Sequence, residues 1–404
     1  MKENQTIWII NQYAGSRIHG MNFRSWYFAN EWKKQGHDPY VISASYSHLF
    51  QQLPEVKGMF THDRVEGVPY VWVKVKNYGQ SQSIGRVLVM LQFMFRLFFF
   101  PKKSLPKPDI ILVSSLSPFP ILNAFFWKLK YKCKLVFEVR DIWPLSLIEI
   151  GGMSKWHPLV LFIGWFERFA YRRADHVISL LPLAKEHMVG RGLNPDKFSC
   201  IPNGFDAEEL EKGVELSADQ LSKIPTNKFI IGYTGSLGAA NAMEYLIQAS
   251  KLVLDHEDIH FIIVGKGQHK QQLEKEAKGN VTFLDPVPKN QVQSMLKQFD
   301  ACYIGWHDHS IYRFGISPNK VFDYLFAGKP VIHSVNAGND IIEDAKCGIS
   351  VPSAHPNAIA QAIIELSNLP KDELLEMGKR GRAYVIERHT YSALAKQLLI
   401  EIEK

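Results

Sequence analysis

Residues 313–332 combine groups that bind phosphate with groups that bind sugar hydroxyls. Ser317 followed by Pro318 predicts the start of a helix, because serine caps helix amides and proline lacks the amide hydrogen that would be orphaned there. The first amides of a helix bind phosphate, and Lys320 adds a positive charge within the first turn. Asp323 could accept hydrogen bonds from two sugar hydroxyls. The alternative is that Lys320 and Asp323 form only a solvated ion pair three residues apart.

Strands and helices alternate along the whole chain, and these elements must position the candidate residues. In the first half, strands are predicted at 6–11, 40–45, 68–75, 109–114, 134–139 and 176–180. In the second half, they are predicted at 229–233, 260–264, 281–284, 301–305, 330–333 and 349–351. Several of these runs are continuously apolar, which is typical of parallel strands covered on both faces. The pattern predicts an α/β protein with two doubly wound domains, in which ligands bind at the carboxyl ends of the strands.

The length of 404 residues exceeds that of one ordinary core, so two domains are expected. We predict an N-terminal domain over 1–205 and a C-terminal domain over 206–388. Turn residues at 201–206 close the first domain, and the acidic, polar stretch that follows is the predicted connector. No strand follows the last predicted helix, over 389–404, and we expect this helix to pack across the domain junction.

Charge is distributed unevenly between the two halves of the chain. Residues 1–180 contain 23 lysines and arginines but only 12 aspartates and glutamates. This half is therefore expected to meet an anionic partner, which could be phospholipid head groups, a polyphosphate or nucleic acid. Nucleic acid is disfavoured, because no helix-turn-helix, RRM or zinc-finger pattern accompanies the charge.

The segment 87–100 is strongly apolar and is followed by Lys102 and Lys103. It is too short to span a bilayer, and Gln92 and Arg96 interrupt it. It could form a buried helix, or an interfacial helix with a basic fringe that lies on a membrane. We expect the second, with a peripheral contact to an anionic inner membrane.

The four cysteines are far apart and form no CxxC pair. This favours a reducing cytosol and argues against a disulfide framework or a structural zinc site. The start of the chain, residues 1–5, is polar and is followed directly by a predicted strand, so no secretory signal is expected. We therefore expect a cytoplasmic protein, peripheral on the cytoplasmic face of the inner membrane.

Four motifs occur in the order found in a known family of enzymes. They are Ile201–Asp206, Gly232–Gly238, Val264–Gly267 and Ser317–Val331. With them the chain resembles, over essentially its whole length, family 4 of the retaining glycosyltransferases (GT4). That family has the GT-B fold, two Rossmann-like domains facing across a cleft, with the nucleotide-sugar on the C-terminal domain and the acceptor on the N-terminal one. The phrases Asn11–Gly15 and Glu138–Pro144 further resemble the branch that builds O-antigen and capsular polysaccharides, including transferases of the N-acetyl-fucosamine type.

The resemblance implies a donor site around the 313–332 run. Asp323 takes the place of the family's usual glutamate and is expected to bind the ribose hydroxyls, whereas the family's earlier glutamate falls on Gly315 and is missing. Backbone amides from Gly315 to Asn319 are expected to hold the phosphates. The family's Arg/Lys pair is absent after Gly235, which leaves three basic residues as substitutes. The predicted donor-site residues are Gly235, Ser236, Lys266, Arg313, Gly315, Ser317, Pro318, Asn319, Lys320 and Asp323.

The resemblance also points to the end of the strand at 134–139. Arg140 stands where the family often has histidine, and a guanidinium can hold a phosphate or acceptor oxygen although it cannot act as a base. The alternative is that Arg140 and Asp141 form a strand-end ion pair. Glu138 points the same way as Arg140, unless it is a buried acid paired with a cation. The predicted catalytic residues are Arg140, Asp141, Glu138 and His19.

The loop after the first strand supplies the remaining candidates. His19 could act as an acid or base, although a lone loop histidine is more often merely exposed. Gly15 and Ser16 would bring the backbone close to a bound group. Arg24, on the following helix, faces either an acceptor phosphate or solvent. The predicted acceptor-binding residues are Gly15, Ser16 and Arg24.

The resulting prediction is a retaining transferase in bacterial surface polysaccharide biosynthesis. It would move a sugar, by its branch an N-acetylated deoxyhexosamine, from a UDP-sugar to a lipid-diphosphate-linked saccharide. No cofactor or metal is expected, in agreement with the absence of an Asp-x-Asp motif. Two alternatives remain: a non-hydrolysing UDP-sugar 2-epimerase, which needs no acceptor, and a non-catalytic nucleotide-sugar-binding subunit, for which the missing acid and missing basic pair are the only support.

Overall fold

The computed structural model describes residues 4–79, 84–101 and 103–404 of the chain. It divides into two compact units, which we name unit 1 (Met1–Asn203 with Tyr391–Lys404) and unit 2 (Gly204–Thr390). The predicted domain boundary after residue 205 lies two residues beyond this division. Each unit is built on one parallel or mostly parallel sheet with helices between successive strands, which confirms the predicted α/β class.

Unit 1 contains an eight-stranded sheet. Its strands are β1 (Thr6–Ile10), β2 (Asp38–Ala44), β3 (Phe60–Val65), β4 (Val68–Val73), β5 (Ile110–Ser114), β6 (Lys134–Val139), β7 (His176–Ser179) and β8 (Phe198–Cys200). Its helices are α1 (Arg24–Lys34), α2 (Ile84–Phe98), α3 (Ile121–Tyr131), α4 (Leu145–Glu149), α5 (Pro158–Arg173), α6 (Lys185–Gly190) and, at the end of the chain, α16 (Tyr391–Glu403). The strand order is β3-β4-β2-β1-β5-β6-β7-β8, and only β3 is antiparallel to its neighbour.

The edge strand β3 is not among the strands predicted from the sequence. Its central residues are polar and exposed, as is usual for an edge strand that is protected from pairing with other chains. A search for continuous apolar runs therefore passes over it.

Helices α1 and α16 pack together on one face of the unit 1 sheet. The indole nitrogen of Trp32 donates to the carbonyl of Ala395 at 3.0 Å, and the ring of Tyr27 stacks on that of Tyr391 with centroids 4.5 Å apart. The last helix is thus part of unit 1. Its predicted packing across the domain junction stays a prediction. On the opposite face, Trp8 of β1 contacts aromatic side chains of α3.

Unit 2 contains a six-stranded, fully parallel sheet in the order β11-β10-β9-β12-β13-β14. Its strands are β9 (Phe229–Thr234), β10 (Ile259–Val264), β11 (Val281–Leu284), β12 (Ala301–Gly305), β13 (Val331–Ser334) and β14 (Gly348–Val351). Its helices are α7 (Ala207–Glu211), α8 (Ala218–Ser222), α9 (Met243–Leu252), α10 (Lys270–Glu276), α11 (Val292–Lys297), α12 (Asn319–Phe326), α13 (Ile341–Asp344), α14 (Pro356–Asn368) and α15 (Lys371–Arg388). The predicted connector contains the two short helices α7 and α8.

Each sheet has a topological switch point, where the chain reverses the direction in which it adds strands. In unit 1 the switch point lies between β1 and β5, and in unit 2 it lies between β9 and β12. Loops that leave the carboxyl ends of such strands diverge to opposite faces of the sheet and leave a crevice for ligands. The loops after these four strands are therefore the first places to search for a site.

Helix α12 begins one residue later than the sequence predicts. Pro318, with ψ 135°, occupies the N-cap position that we assign to Ser317 from the sequence, and the helix begins at Asn319. The reason is a clamp from a distant loop: the side chain of Asn339 accepts from the amide of Ile316 at 2.7 Å and donates to its carbonyl at 3.2 Å. This keeps the residues before Asn319 from joining the helix.

The end of α12 is closed by a glycine, as predicted. Gly328 has φ +68°, and the amides of Gly328 and Lys329 donate to the carbonyls of Leu325 and Tyr324. Helix α15 approaches this turn so closely that a Cβ atom on Gly378 would lie 1.8 Å from the carbonyl oxygen of Gly328. The backbone of α15 therefore rests directly on the last turn of α12.

Candidate functional site

At the carboxyl ends of β9 and β10, beside the switch point of unit 2, two glycine loops lie against each other. The amide of Gly235 donates to the carbonyl of Val264 at 2.9 Å, and the amide of Leu237 donates to the carbonyl of Lys266 at 2.9 Å. A Cβ atom on Gly265 would lie 2.0 Å from the carbonyl oxygen of Gly235, so only glycine permits this approach. The structure brings together the predicted residues Gly235, Ser236 and Lys266, and the side chains of Ser236 and Lys266 are exposed.

Lys320, in the first turn of α12, reaches into this loop. Its ammonium donates to the hydroxyl of Tyr233 at 2.6 Å and to the side-chain oxygen of Asn241, and it lies 4.5 Å from the centroid of the Tyr233 ring. No carboxylate pairs with it in the part of the chain that the structure describes, so the alternative of a solvated pair with Asp323 is wrong. Burial lowers the pKa of Lys320 to about 8.

Asp323, three residues further along the same helix, has different neighbours from Lys320. Burial raises the pKa of its carboxyl to about 7, which the nearby Lys289 opposes and Glu209 reinforces. Lys289 and Glu209 form an ion pair of 2.7 Å beside it. Helix α12 thus presents a cation towards the glycine loop and, three residues on, an acid that changes its protonation state near neutral pH.

The loop before α12 is shaped by a 3₁₀ turn over Ser310–Phe314 and by Gly315, whose φ of +105° is accessible to glycine and few other residues. The guanidinium of Arg313 lies 4.2 Å over the ring of Phe314 and donates to the carbonyl of Ser310 at 2.6 Å. Arg313 is exposed, and these two contacts lie within its own turn. Asn319 is exposed at the start of α12.

Residues that the sequence does not single out connect the loops across this switch point. The ring of His307, after β12, hydrogen-bonds through Nε2 to the carbonyl of Ala239, after β9, at 2.7 Å. Tyr233 and Asn241 hold Lys320 as described above. Only the order of the strands shows that the two loops are neighbours, because about 70 residues separate them in the sequence.

At the switch point of unit 1, the structure places Arg140 and Asp141 just beyond the end of β6. The guanidinium of Arg140 donates to the side-chain oxygen of Asn22 at 2.6 Å, and its amide donates to the hydroxyl of Ser115 at 2.9 Å. Arg140 thus contacts the loops after β1 and β5 rather than forming a strand-end ion pair. Burial raises the pKa of Asp141, while the charges of Arg140 and Arg86 act to lower it.

Glu138 and Arg24 form a buried ion pair, which gives both a structural role; the catalytic role predicted for Glu138 and the acceptor-binding role predicted for Arg24 stay predictions. Both are about 2% exposed, and Nε of Arg24 donates to the Glu138 carboxylate at 2.8 Å. Arg24 also donates to the carbonyls of Ile201 and Pro202. Burial raises the pKa of Glu138, but the charges of Arg24 and Arg140 outweigh it, and the pKa lies below its ordinary value. The pair matches the alternative of a buried acid with a cationic partner.

The loop of His19 is likewise held by internal contacts. The hydroxyl of Ser16 is bonded to Nδ1 of His19 at 2.8 Å and accepts from two amides of its own turn. His19 is buried against Trp72, and burial lowers its pKa. A Cβ atom on Gly15 would lie 2.0 Å from the carbonyl oxygen of Gly20. These contacts give Gly15, Ser16 and His19 a role in the folding of the loop, and their predicted roles in acceptor binding and catalysis stay predictions.

Family models match most of the chain. The model described as "Glycosyltransferase Family 4" matches residues 18–209, and that described as "Glycosyl transferases group 1" matches residues 228–368. Among curated relatives, the putative colanic acid biosynthesis glycosyl transferase WcaI of Escherichia coli K12 is 26% identical over 68% of this chain and 70% of its own length. The UDP-Gal:α-D-GlcNAc-diphosphoundecaprenol α-1,3-galactosyltransferase of Escherichia coli is 21% identical over 58% of this chain and 61% of its own length.

Solved structures agree in fold over the whole chain. Sucrose-phosphate synthase from Thermosynechococcus elongatus superposes with a TM-score of 0.72 at 15% identity, covering 98% of each chain. HepE of Anabaena, solved in complex with UDP-glucose, superposes with a TM-score of 0.66 at 14% identity, covering 99% of this chain and 100% of its own. The two sheets, their switch points and both family models lead to one conclusion: the chain belongs to the family 4 glycosyltransferases and has the GT-B fold.

Proposed function

We propose that the protein transfers a sugar, with retention of anomeric configuration, from a UDP-sugar to a saccharide acceptor. The observation that carries this proposal is the buried ammonium of Lys320, which neutral groups hold beside the glycine loop and at the start of α12. A cation in this position, together with the first amides of a helix, suits the negative charge of a diphosphate. The structural relative HepE, solved with UDP-glucose, supports the choice of donor.

In the proposed reaction, the bond between the anomeric carbon and the β-phosphate oxygen breaks, and both bonding electrons stay on the phosphate. Lys320 and the leading amides of α12 stabilise that developing charge. The acceptor hydroxyl attacks from the same face of the sugar, and its proton passes to the leaving phosphate. Asp323 binds the ribose hydroxyls from its position further along α12. No metal ion takes part.

The proposed acceptor is a lipid-diphosphate-linked saccharide of bacterial surface polysaccharide, and the proposed sugar is an N-acetylated deoxyhexosamine. Two relatives support the setting: one is named for colanic acid biosynthesis, and the other for a diphosphoundecaprenol-linked substrate. The sugar itself follows from the resemblance of the 11–15 and 138–144 phrases to one branch of the family.

A membrane-facing surface on unit 1 agrees with a lipid-linked acceptor. Seven phenylalanine and tryptophan side chains are exposed among the described residues, and all lie between residues 95 and 165. We name them the aromatic surface: Phe95, Phe98, Phe99, Phe126, Trp156, Phe162 and Trp165. They belong to α2, α3 and α5 and to the turns beside α2 and α5, and ring contacts connect the three helices. A contiguous apolar patch of this kind marks an interaction site.

Basic residues border the aromatic surface. Lys130 on α3 and Arg168, Arg172 and Arg173 on α5 are exposed, and the guanidinium of Arg173 lies 5.7 Å over the ring of Phe125. Aromatic rings beside lysine and arginine suit the interface of an anionic bilayer. No helix in the described ranges is long and apolar enough to cross a membrane. We therefore propose peripheral binding to the cytoplasmic face of the inner membrane; Lys102 of the predicted basic fringe lies outside the described residues.

The proposed activity can be tested with purified protein, a panel of UDP-sugars and a lipid-linked acceptor, with and without EDTA. We expect one UDP-sugar to give transfer with retention, unaffected by EDTA. Product formed only from the donor, as an epimer and without acceptor, would instead identify a 2-epimerase. Binding of UDP without any turnover would identify a non-catalytic subunit.

Membrane binding can be tested separately by sedimentation with vesicles of phosphatidylglycerol and phosphatidylethanolamine. Trp165→Ser and Phe99→Ser should each weaken binding by about tenfold to a hundredfold, because each removes roughly 1.5–3 kcal/mol of apolar burial. Leu375→Ser, which changes an exposed apolar residue of unit 2, is the matched control and should bind as the parent does. Equal binding of the parent and all variants to the vesicles would refute the proposal that the aromatic surface binds the membrane.

A further inference from the structure

The switch point of unit 1 contains an arginine that neither the sequence motifs nor the reaction proposed above uses. Arg86 lies on the inward face of α2, and its Nε donates to the hydroxyl of Tyr13 at 3.0 Å. Tyr13 is buried just after β1, and its hydroxyl also bonds to that of Tyr78. Tyr78 in turn is bonded to Nδ1 of His48 at 2.8 Å. This chain of hydrogen bonds fixes the orientation of the guanidinium.

Arg86 acts on the same carboxylate as Arg140. The positive charges of both arginines work to lower the pKa of Asp141. Arg86 comes from α2 and Arg140 from the end of β6, so two elements distant in sequence deliver two cations to one edge of the sheet. Arg140 also interacts with the charges of Glu138 and Arg24, so that three arginines share this edge with the two carboxylates of Glu138 and Asp141. The edge therefore keeps a net positive charge, which favours an anionic ligand.

Two buried polar side chains in the loops that follow β1 and β5 have no hydrogen-bond partner among the described residues. Gln12 follows β1 and Ser117 follows β5; both are 1% exposed. Both amide atoms of Gln12 and the hydroxyl of Ser117 find no partner among the described residues. Buried polar atoms are nearly always satisfied in a folded protein, so this edge has the character of a site built for a polar ligand.

We propose that Arg86, with Arg140, binds the diphosphate of the acceptor, and that α2 aligns this group with the lipid. The inference rests on the acceptor class of the proposed function. Arg86 shares the inward face of α2 with buried Met90 and Phe93, whereas Leu88 and Phe95 on the outward face are exposed. One helix therefore offers a cation to the anionic group and an apolar face to the hydrocarbon that follows it.

Transfer assays with two acceptors that differ only in charge test this proposal. One carries the saccharide on a polyprenyl diphosphate, and the other carries it on a neutral alkyl chain. Arg86→Gln should raise KM for the first about tenfold or more, because it removes a charge-assisted phosphate contact, and leave KM for the second and for the donor unchanged. Tyr13→Phe should give a smaller rise of the same kind, because the charge remains but its orientation is lost.

Arg96→Gln is the matched control, because Arg96 lies on the same helix and donates to the carbonyl of Lys74 at the far end from the switch point. It should leave KM for both acceptors unchanged. Equal losses on the charged and neutral acceptors with Arg86→Gln, or no loss on either, would overturn the proposal.

A binding measurement separates this inference from the proposed reaction. Calorimetric titration of the full chain with farnesyl diphosphate, in the presence of saturating UDP, should show binding that Arg86→Gln weakens about tenfold or more. If the parent protein binds no better than Arg86→Gln, the inference fails, whatever the enzyme's activity. If Arg86-dependent binding is present but no sugar is transferred, the inference stands and the proposed reaction fails.

Discussion

Arg24 in unit 1 and Lys320 in unit 2 are cations with little access to solvent, and their partners differ in kind. In unit 1, Arg24 pairs with Glu138 and donates to backbone carbonyls, so groups of the protein satisfy the cation. In unit 2, Lys320 is held by the neutral oxygens of Tyr233 and Asn241, and loss of solvent lowers its pKa. Burial of a charge therefore does not by itself identify a site. The partners decide: a cation with a carboxylate is part of the architecture, and one with only neutral partners can receive an anion.

The largest expected effect is on stability in unit 1. Glu138→Ala leaves the Arg24 guanidinium buried without its carboxylate, and we expect the free energy of unfolding to fall by about 3–5 kcal/mol in urea denaturation. Glu66→Ala, which breaks the partly exposed pair with Arg17 at 2.6 Å, is the control and should cost less than about 1 kcal/mol. If the Glu138→Ala protein had normal stability but no activity, the result would support the catalytic role predicted for Glu138.

The matching change in unit 2 should affect activity and leave stability nearly unchanged. Lys320→Ala removes the cation assigned to the leaving phosphate, and we expect kcat/KM to fall about 100- to 1000-fold. Lys329→Ala is the control: burial also lowers the pKa of Lys329, but its ammonium donates to the carbonyl of Lys297 at 3.0 Å. Equal losses of activity in the two variants would remove the distinction between the two kinds of buried charge.

The pH dependence of UDP binding should report both groups on α12. Above about pH 8 Lys320 loses its proton and its attraction for phosphate, and below about pH 7 Asp323 gains a proton and can no longer accept two hydroxyls. Affinity, measured by calorimetry, should be highest between these values and fall by up to about tenfold per unit on either side. Lys320→Arg should abolish the alkaline limb and Asp323→Asn the acid limb. If the loss of affinity at high or low pH persisted in the corresponding variant, it would arise from ionisation of the nucleotide and not from Lys320 or Asp323.

The smallest expected effect comes from the glycine beside Lys320. A Cβ atom at Gly235, where φ is +153°, would lie 2.5 Å from Cε of Lys320 and push the ammonium away. Gly235→Ala should weaken UDP binding by about fivefold to tenfold, equivalent to roughly 1 kcal/mol of local strain. Gly279→Ala is the control, because a Cβ atom there meets nothing within 4 Å. Unchanged affinity in Gly235→Ala would place the nucleotide elsewhere.

The sequence predicts much of this architecture, because periodicity and capping are local properties. Apolar runs identify every strand of unit 2, and Gly328 marks the end of α12. Local signals also place Lys320 within the first turn of that helix. The resemblance to a family then supplies the order of the motifs, which the family models match.

Pairings between distant residues could not be predicted in the same way. Arg24 and Glu138 are 114 positions apart, and either could serve a ligand until the fold brings them together. The contacts of Ser16 are local, with His19 and with two amides of its own loop, but neither periodicity nor capping indicates them. Arg86 lies in a mostly apolar helix, and the sequence of that helix does not indicate its hydrogen bond to Tyr13. In each case the partner, rather than the residue type, decides the role.

The contact between Gly378 and the carbonyl of Gly328 has a consequence for the energetics of the transition state. The backbone of α15 packs directly against the backbone at the end of α12, with no side chain between them. This contact restricts movement of α12 along its axis. If the reaction proposed above takes place at the start of α12, the leading amides of this helix are oriented before substrate binds. They would not have to rotate, as water molecules would, when negative charge develops on the leaving oxygen, and the fixed helix would lower the reorganisation energy of that reaction.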